Sequence, residues 1–189
     1  MAKRKTKRAA PKQAAKTAQM PRAKTNGGMH VRQSDKIDIG IAPDARQKIA
    51  DSLMRVLADT YTLYFKTHGF HWNVQGSMFQ TLHMMFETQY VELRDAVDTL
   101  AERIRSLGYF APASSGALVA RASIKEEAKI PPAKQMIKSL ALGHEALVRT
   151  CREAFHAAED GDDQGTADML TARMEVSEKT SWMLRSLLD

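Results

Sequence analysis

The feature that most limits how this chain can fold is a long series of apolar residues at three- and four-residue steps. The series runs through Phe79, Leu82, Phe86, Leu93, Val97, Leu100 and Ile104. This spacing places the side chains on one face of an α-helix. Ser77 and Gln80 fit a capping box at its start, and Gly108 fits a C-terminal stop. The pattern predicts a helix of about 30 residues, near 45 Å long at 1.5 Å per residue.

Three further segments show helical spacing. Residues 44–70 have apolar side chains at helical steps after a start signal of Pro43 and Asp44. A third helix follows Pro131 and Pro132, and a fourth runs from about residue 164 to residue 187. Their apolar positions are Ile137, Leu140, Leu147, Cys151 and Phe155 in the third, and Met169, Val176, Met183 and Leu187 in the fourth. The connection before the third helix has room for a short helix in "SGALVARAS", and no segment has a convincing strand pattern.

Length and helix pattern together predict an all-α protein with one main domain. A chain of 189 residues suits one domain with a tail. Four long helices, with one long connection between the second and the third, are typical of a ferritin-like four-helix bundle. We assign residues 43–189 to that bundle and residues 1–42 to a separate basic arm.

The first 34 residues hold ten basic side chains and no acidic one, whereas the rest of the chain is mildly acidic. Large apolar residues are almost absent from this segment. Burial therefore cannot offset the entropy lost on ordering, and we expect the arm to be disordered. Its charge indicates a polyanion-binding segment, with DNA as the favoured ligand. The predicted DNA-binding residues are Lys3, Arg4, Lys5, Lys7, Arg8, Lys12, Lys16, Arg22 and Lys24.

Neutralisation of phosphates by this arm would give non-specific, salt-dependent binding to duplex DNA. Base stacking on single strands is not supported, because the first aromatic residue is Tyr61. Two other interpretations stay open at this point. The arm could be a solubilising tail, or a mitochondrial transit peptide, although it lacks the apolar helical face typical of transit peptides.

Other bulk features fit a cytoplasmic protein without a membrane partner, and DNA binding by the arm would make it nucleoid-associated. Cys151 is the one cysteine, so no disulfide can form within the chain, which fits a reducing compartment. No apolar run approaches the roughly 20 residues that a membrane helix needs. No apolar segment follows the basic N-terminus as it would in a secretory signal.

Histidine and carboxylate residues cluster around the turn between the first two predicted helices. His83 and Glu87 lie one turn apart on the second helix, and His71 ends the first. Di-iron bundles with a complete site in one chain use two Glu-x-x-His pairs. This chain has one such string, from Glu153 to His156, and its polar surroundings favour a solvated surface. A complete di-iron site within one chain is therefore not supported.

The missing ligands are found further along the same helix. Asp98 and Glu102 are four residues apart, as His83 and Glu87 are. Glu87 and Asp98 are separated by about 16 Å along the helix axis, so one helix cannot bring both pairs to one ion. Positions 83 and 102, and positions 87 and 98, both sum to 185. An antiparallel copy about a two-fold axis near residues 92 and 93 would bring the pairs together in two shared sites.

His71 would give each shared site a second imidazole. Two imidazoles and three carboxylates suit Fe(II), with Zn(II) and Mn(II) as competitors. Taken alone, a His/Glu pair at this spacing is more often an ordinary surface pair, and that interpretation stays open at this point.

The segment "HWNVQGSMFQTLHMMFETQYVELRDAVDTLAERIRSLG" closely resembles the signature of the Dps family, the mini-ferritins called DNA-binding proteins from starved cells. The resemblance covers about residues 44–189, including "EKTSWMLRS", and leaves out the arm. It implies a hollow dodecamer with iron-oxidising sites at two-fold interfaces. His71, His83 and Glu87 would come from one subunit, and Asp98 and Glu102 from the other. Fe(II) would be oxidised there, preferentially by hydrogen peroxide, and Fe(III) stored in the cavity.

The resemblance also draws attention to several further residues. Many members have Asp where this chain has Glu87, whose carboxylate reaches one methylene further. Trp72 is part of the pattern that matches the family. It should pack near the site, so its fluorescence should report metal binding. His68 is either an outer group of the site or a structural residue. The acidic string before the fourth helix corresponds to three-fold pores for iron entry, with Asp163 and Asp168 as candidates.

Three functions are compatible with these features to different degrees. The first is a ferroxidase that stores iron and binds DNA. The second is a nucleoid-binding protein whose metal site is vestigial or structural. The third is a helical coat or adaptor protein without metal. The five ligand positions favour the first function, and the basic arm is compatible with the first two.

Overall fold

The computed structural model describes residues 37–188, which form five helices and no strand. In chain order they are α1 (Pro43–Asn73), α2 (Phe79–Ser106), α3 (Ser115–Val119), α4 (Ala133–Asp160) and α5 (Gln164–Arg185). The prediction of an all-α protein is confirmed, and α3 is the short helix expected in the long connection. Within this part of the chain, no helix combines the length and the apolar character that crossing a bilayer requires. Residues 1–36 of the predicted arm, which include all of its predicted DNA-binding residues, lie outside the described residues.

The C-terminal end of α2 is set by Gly108, as predicted. Gly108 has a φ angle of 99°, in the region that glycine adopts without a steric penalty. Its N–H donates to the carbonyl of Arg105 at 3.0 Å, and the N–H of Tyr109 donates to the carbonyl of Ile104 at 3.2 Å. These paired bonds are those of a Schellman motif, which satisfies carbonyls left open by the last turn.

The predicted capping box at the other end of α2 is wrong. The helix begins at Phe79, with Met78 as the N-cap residue and no side-chain cap hydrogen bond. Gln80 is therefore the second helical residue, one position too early to close a box with Ser77. The chain enters the helix through a turn at Gly76, whose φ angle is 111°. This turn geometry, which local sequence matching does not capture, decides where the helix starts.

The long helices pack as two antiparallel pairs around one apolar core. α1 packs along α2, α4 packs along α5, and α1 also packs against α4. Large side chains from every long helix are fully buried, among them Leu53, Phe86, Leu93, Leu140 and Leu170. By contrast, α2 makes little contact with α5. A groove therefore runs between those two helices.

The face that α5 buries differs in part from the predicted one. Met169 and Leu187 pack against the core as predicted. Val176 and Met183 are 37% and 42% exposed, whereas Arg173, Ser177 and Ser181 are buried. Positions 169, 176 and 183 recur at seven-residue steps, and such a stripe can lie on an exposed face as well as in a core. Which face becomes buried depends on where α4 and α2 approach, so the polar residues of α5 enter the core.

The long connection between α2 and α4 is tied to the bundle by one buried carboxylate. Asp59 of α1 accepts hydrogen bonds from the N–H groups of Ser123 and Ile124 at 2.6 and 3.0 Å, and from the hydroxyl of Ser123 at 2.8 Å. The hydroxyl of Thr150, on α4, donates to the same carboxylate at 2.6 Å. Asp59 thus joins α1, α4 and the connection at one point.

Candidate metal centre

Two histidines from neighbouring helices face each other where α1 ends and α2 begins. The ring centroids of His71 and His83 are 3.8 Å apart, and the ring planes differ by 19°. Nδ1 of His71 lies 2.9 Å from the backbone oxygen of His83, and Nδ1 of His83 lies 2.9 Å from the backbone oxygen of His71. Each helix therefore holds the imidazole of the other in place.

These reciprocal hydrogen bonds determine the tautomer of both imidazoles. A carbonyl oxygen only accepts, so Nδ1 of each ring must donate its hydrogen. In a neutral imidazole the other nitrogen, Nε2, then keeps the lone pair that a metal ion binds. A backbone carbonyl that receives the second N–H of a histidine is a common orienting group at metal sites. His71 and His83 therefore have the arrangement expected of metal ligands.

The predicted carboxylate ligands lie along the exposed side of α2. Glu87 follows His83 by one turn, and all three carboxylates are exposed in the single chain. Asp98 and Glu102 lie further along the same unbroken helix, with about 16 Å of axial rise between Glu87 and Asp98. The structure therefore brings His71 and His83 together, places Glu87 one turn further along α2, and keeps Asp98 and Glu102 at a distance. Within residues 37–188, no group of three or more His, Cys, Asp or Glu side chains is close enough to hold a metal ion.

An aromatic cluster borders the histidine pair. His68 stacks on Tyr90, with ring centroids 4.0 Å apart, and its ring centroid lies 4.1 Å from that of Trp72. Tyr90 in turn meets the ring of His71 edge-on at 5.2 Å. Burial, and then the neighbouring His71, lower the pKa of His68, which keeps its imidazole neutral at pH 7. Trp72 therefore contacts the surroundings of the site, although its side chain is 59% exposed.

Tyr90 is the site neighbour that the sequence analysis missed. It follows His83 by seven residues, which is two helical turns, so both side chains lie on one face of α2. That spacing is the signal that could have identified it. The sequence alone does not show that the end of α1 brings His68 and His71 against this face.

The one Glu-x-x-His string of the chain lies on the surface, as predicted. The side chains of Glu153 and His156 are 62% and 75% exposed. Glu153 forms an ion pair with Arg55 at 3.0 Å. Exposed pairs of this kind contribute little to stability. Nδ1 of His156 lies 3.6 Å from the carboxylate of Glu159, and that pair is exposed as well.

The two candidate pore residues have different surroundings. Asp163 is 2% exposed, caps α5 by accepting from the N–H of Thr166 at 2.9 Å, and pairs with Arg103 at 2.5 Å. Burial alone would raise the pKa of Asp163, but the hydrogen bonds from Arg103 and Thr166 outweigh it and lower the pKa below its ordinary value. Asp168 is exposed. The geometry therefore favours Asp168 over Asp163 as a side chain available to a passing cation.

Comparison with known proteins identifies relatives of this chain. A family model of the ferritin-like domain matches residues 50–189. The DNA protection during starvation protein of Brevibacillus brevis is 41% identical over 144 residues, which cover 76% of this chain and 97% of that protein.

Solved structures agree with the sequence comparison. A Dps protein of Vibrio cholerae O1, a member of a broad superfamily of ferritin-like diiron-carboxylate proteins, is 32% identical with a TM-score of 0.77, and the match covers 80% of this chain and 95% of that one. A Dps protein of Bacillus brevis is 40% identical with a TM-score of 0.75, and the match covers 77% of this chain and 98% of that one. The predicted ferritin-like bundle is confirmed by these matches.

Proposed function

Because the chain belongs to the Dps family of ferritin-like proteins, we propose that it oxidises Fe(II) at sites shared between subunits, stores Fe(III) inside a hollow oligomer, and binds DNA through its basic arm. The observation that carries this proposal is the His71–His83 pair, whose reciprocal hydrogen bonds leave both Nε2 atoms without a hydrogen. Glu87 follows His83 by one helical turn. The shell of twelve subunits and the cytoplasmic, nucleoid-associated location remain expectations from the family resemblance and the charge of the arm.

In this proposal Fe(II) and hydrogen peroxide are the substrates. His71, His83 and Glu87 bind iron from one side, and Asp98 and Glu102 of the partner subunit bind it from the other. The carboxylates stabilise the higher charge that iron acquires on oxidation, while the carbonyl-held imidazoles keep their orientation. Each Fe(II) gives up one electron, and peroxide accepts two as its O–O bond breaks and water forms.

Apolar surface on the single chain supports assembly with further copies. Phe65 and Trp72 on α1 are 53% and 59% exposed, and Ile130 in the connection is 68% exposed. Phe65 and Ile130 also line a cavity of about 560 Å³, together with Tyr61 and Val119. Contiguous apolar surface of this kind is typical of protein–protein interfaces. We propose that it is covered in the homo-oligomer.

Replacement of both His71 and His83 by Gly should abolish rapid peroxide-dependent oxidation of Fe(II). We expect a loss of more than about 100-fold, because removal of a group that only orients a ligand already costs 10- to 100-fold. The measurement is a stopped-flow absorbance trace with hydrogen peroxide and, separately, with oxygen. His156→Gly is the matched control, since that exposed imidazole lies outside the site and its loss should leave the rate unchanged. A wild-type rate in the double variant would show that the site is misassigned.

The basic arm favours one alternative, a nucleoid-binding protein whose metal site is vestigial or structural. Deletion of residues 1–34 should strongly weaken DNA binding in a gel shift, because it removes ten cationic side chains. Wild-type binding should also weaken steeply as salt rises. The truncated protein must keep its oligomeric size and its iron oxidation rate for the comparison to be valid. DNA affinity unchanged by the deletion would contradict the role of the arm, whereas DNA binding without any iron oxidation in the intact chain would support the alternative.

A further inference from the structure

The core of the bundle contains polar atoms that find no hydrogen-bond partner in the part of the chain that the structure describes. These atoms include both ring nitrogens of His144, Oγ of Ser177, Oε1 of Gln89 and Nε of Arg173. His144 and Ser177 are 1% and 0% exposed. Buried polar groups are almost always hydrogen-bonded in native proteins, so such a set requires an explanation.

The contacts between α4 and α5 place two of these side chains at the same level. The hydroxyl of Ser181 donates to the backbone oxygen of Ala141 at 3.3 Å, which fixes the register of the two antiparallel helices. Ser177 lies one turn before Ser181, and His144 lies almost one turn after Ala141. Moving one turn along both helices in opposite directions brings Ser177 beside His144.

The contacts between α2 and α5 add the other two side chains. Arg173 donates two hydrogen bonds to the carboxylate of Glu92, at 2.5 and 2.9 Å. Gln89 lies one turn before Glu92, and Ser177 lies one turn after Arg173. Because these helices also run antiparallel, Gln89 is brought to the level of Ser177. Side chains from three helices therefore converge on one point in the core, with Arg173 at its border.

The charges and hydrogen-bonding groups of this point limit what it can bind. Burial, and then the nearby Arg173, lower the pKa of His144 to about 3, so its ring is neutral at pH 7 and offers one donor and one acceptor. Arg173 adds its Nε–H as a donor, while its positive charge is paired with the carboxylate of Glu92. Gln89 adds an acceptor, and Ser177 both donates and accepts. A ligand that fits these groups is therefore small, neutral, and able both to donate and to accept.

We propose that the middle of the bundle binds a small neutral hydroxylic molecule, with water as its occupant, held by His144, Ser177, Gln89 and Arg173. A water molecule can accept from Nε–H of Arg173 and donate to Gln89 while it bonds to His144 or Ser177, which meets the usual requirement of two to four polar partners. A groove of about 330 Å³ between α2 and α5 has Arg173 in its lining and so borders this point on one side.

A crystal structure of the full-length, assembled protein at a resolution that shows ordered water tests this directly. The expected result is a density peak within hydrogen-bond distance of His144 and of at least one of Ser177 and Gln89. If no peak is present, and these side chains instead bond to one another, the proposal is overturned. This test uses the unmodified chain, so it holds even where a core variant fails to fold.

The sign of a stability change provides a second test. If water bridges the groups, His144→Leu removes one of its partners and should lower the melting temperature. If the groups are simply unpaired, the same change removes two unpaired atoms and should raise it. In the first case the effect should also be non-additive with Ser177→Ala, because both residues share the bound molecule. Thr180→Ala is the matched control on α5, since Thr180 is only partly buried and its hydroxyl bonds to its own helix, and it should be additive with His144→Leu. A raised melting temperature, or additivity with Ser177→Ala, contradicts the proposal.

Discussion

Histidines in this protein differ according to what surrounds their two ring nitrogens. In His71 and His83 a backbone carbonyl receives Nδ1–H, and Nε2 is left with its lone pair. In His144 neither nitrogen has a partner within residues 37–188. In His156 the side chain is 75% exposed. One residue type therefore has three roles, namely candidate ligand, core polar group and surface residue, and the difference lies in the neighbouring backbone and side chains.

Acid should destabilise the bundle through His144. Burial and Arg173 lower its pKa from 6.5 to about 3 in the folded state, so the unfolded chain binds more protons between these values. The free energy of unfolding should therefore fall by up to about 1.4 kcal/mol per pH unit as the pH drops from 6.5 towards 3. Above pH 6.5 this histidine has no effect, because it is neutral in both states.

Chemical denaturation of the assembled protein across this pH range measures the effect. His144→Gln should make the free energy of unfolding less dependent on pH, since the amide does not titrate. His156→Gln, at an exposed position, should leave the pH dependence unchanged. If the free energy of unfolding of His144→Gln falls just as steeply with pH, groups other than His144 cause the loss of stability in acid.

At the scale of the helices, the geometry of α2 decides how the proposed metal centre would be divided between subunits. It runs without a break for 28 residues and carries His83 and Glu87 near one end and Asp98 and Glu102 near the other. A rigid helix keeps these pairs apart within one chain and gives them a symmetric spacing about its middle. In the proposed site, the two halves would therefore meet between copies related by a two-fold axis.

Loss of the Asp59 carboxylate should release the connection between α2 and α4. Asp59→Asn replaces an acceptor-only group with one that also donates, so some of the N–H and O–H groups of Ser123, Ile124 and Thr150 lose their partner. We expect a loss of about 3 kcal/mol in the free energy of unfolding, because buried donors are left unsatisfied.

Hydrogen exchange of the Ser123 and Ile124 amides measures this change locally, and both should exchange faster in Asp59→Asn. Asp51→Asn, an exposed position on the same helix, is the control and should leave both amides protected. Unchanged protection in Asp59→Asn would show that the connection is held by other contacts.

At the scale of the whole molecule, the proposed function requires more than one chain. One subunit presents a pair of oriented imidazoles and a carboxylate at one end of α2, and only carboxylates at the other. The exposed apolar residues on α1 and in the connection offer a surface on which a second copy can pack. We therefore expect a monomeric variant to oxidise iron poorly.

Co-assembly of two inactive variants should restore oxidation if ligands are shared between subunits. One variant carries His71→Gly and His83→Gly, and the other carries Asp98→Asn and Glu102→Gln. In a mixed dimer, one of the two sites receives intact histidines and intact carboxylates. Random mixing at equal amounts should restore about a quarter of the wild-type sites, since half of the dimers are mixed and each has one intact site.

The matched control is co-assembly of the single variants His71→Gly and His83→Gly after joint refolding. Both histidines of a site come from one subunit in the proposed arrangement, so this mixture should gain nothing over the separate variants. Recovery in the control, or none in the complementary mixture, would contradict the assignment of ligands to subunits.

Sequence alone determined the features of this protein that depend on a few neighbouring residues. The helices follow from apolar spacing, the end of α2 from Gly108, and the equal steps of the candidate ligand pairs from their positions on one helix. These features are local, because backbone hydrogen bonds and steric preferences within one or two turns set them.

Tertiary structure decided which side chains meet and which are buried. It turned Ser177 rather than Val176 into the core, brought Tyr90 against His71, and enclosed His144 without a partner among the described residues. Such outcomes depend on how distant elements approach each other, and burial on one face of a helix is settled by its neighbours in space. Periodicity can show that a helix forms, but the register between helices decides what its polar residues do.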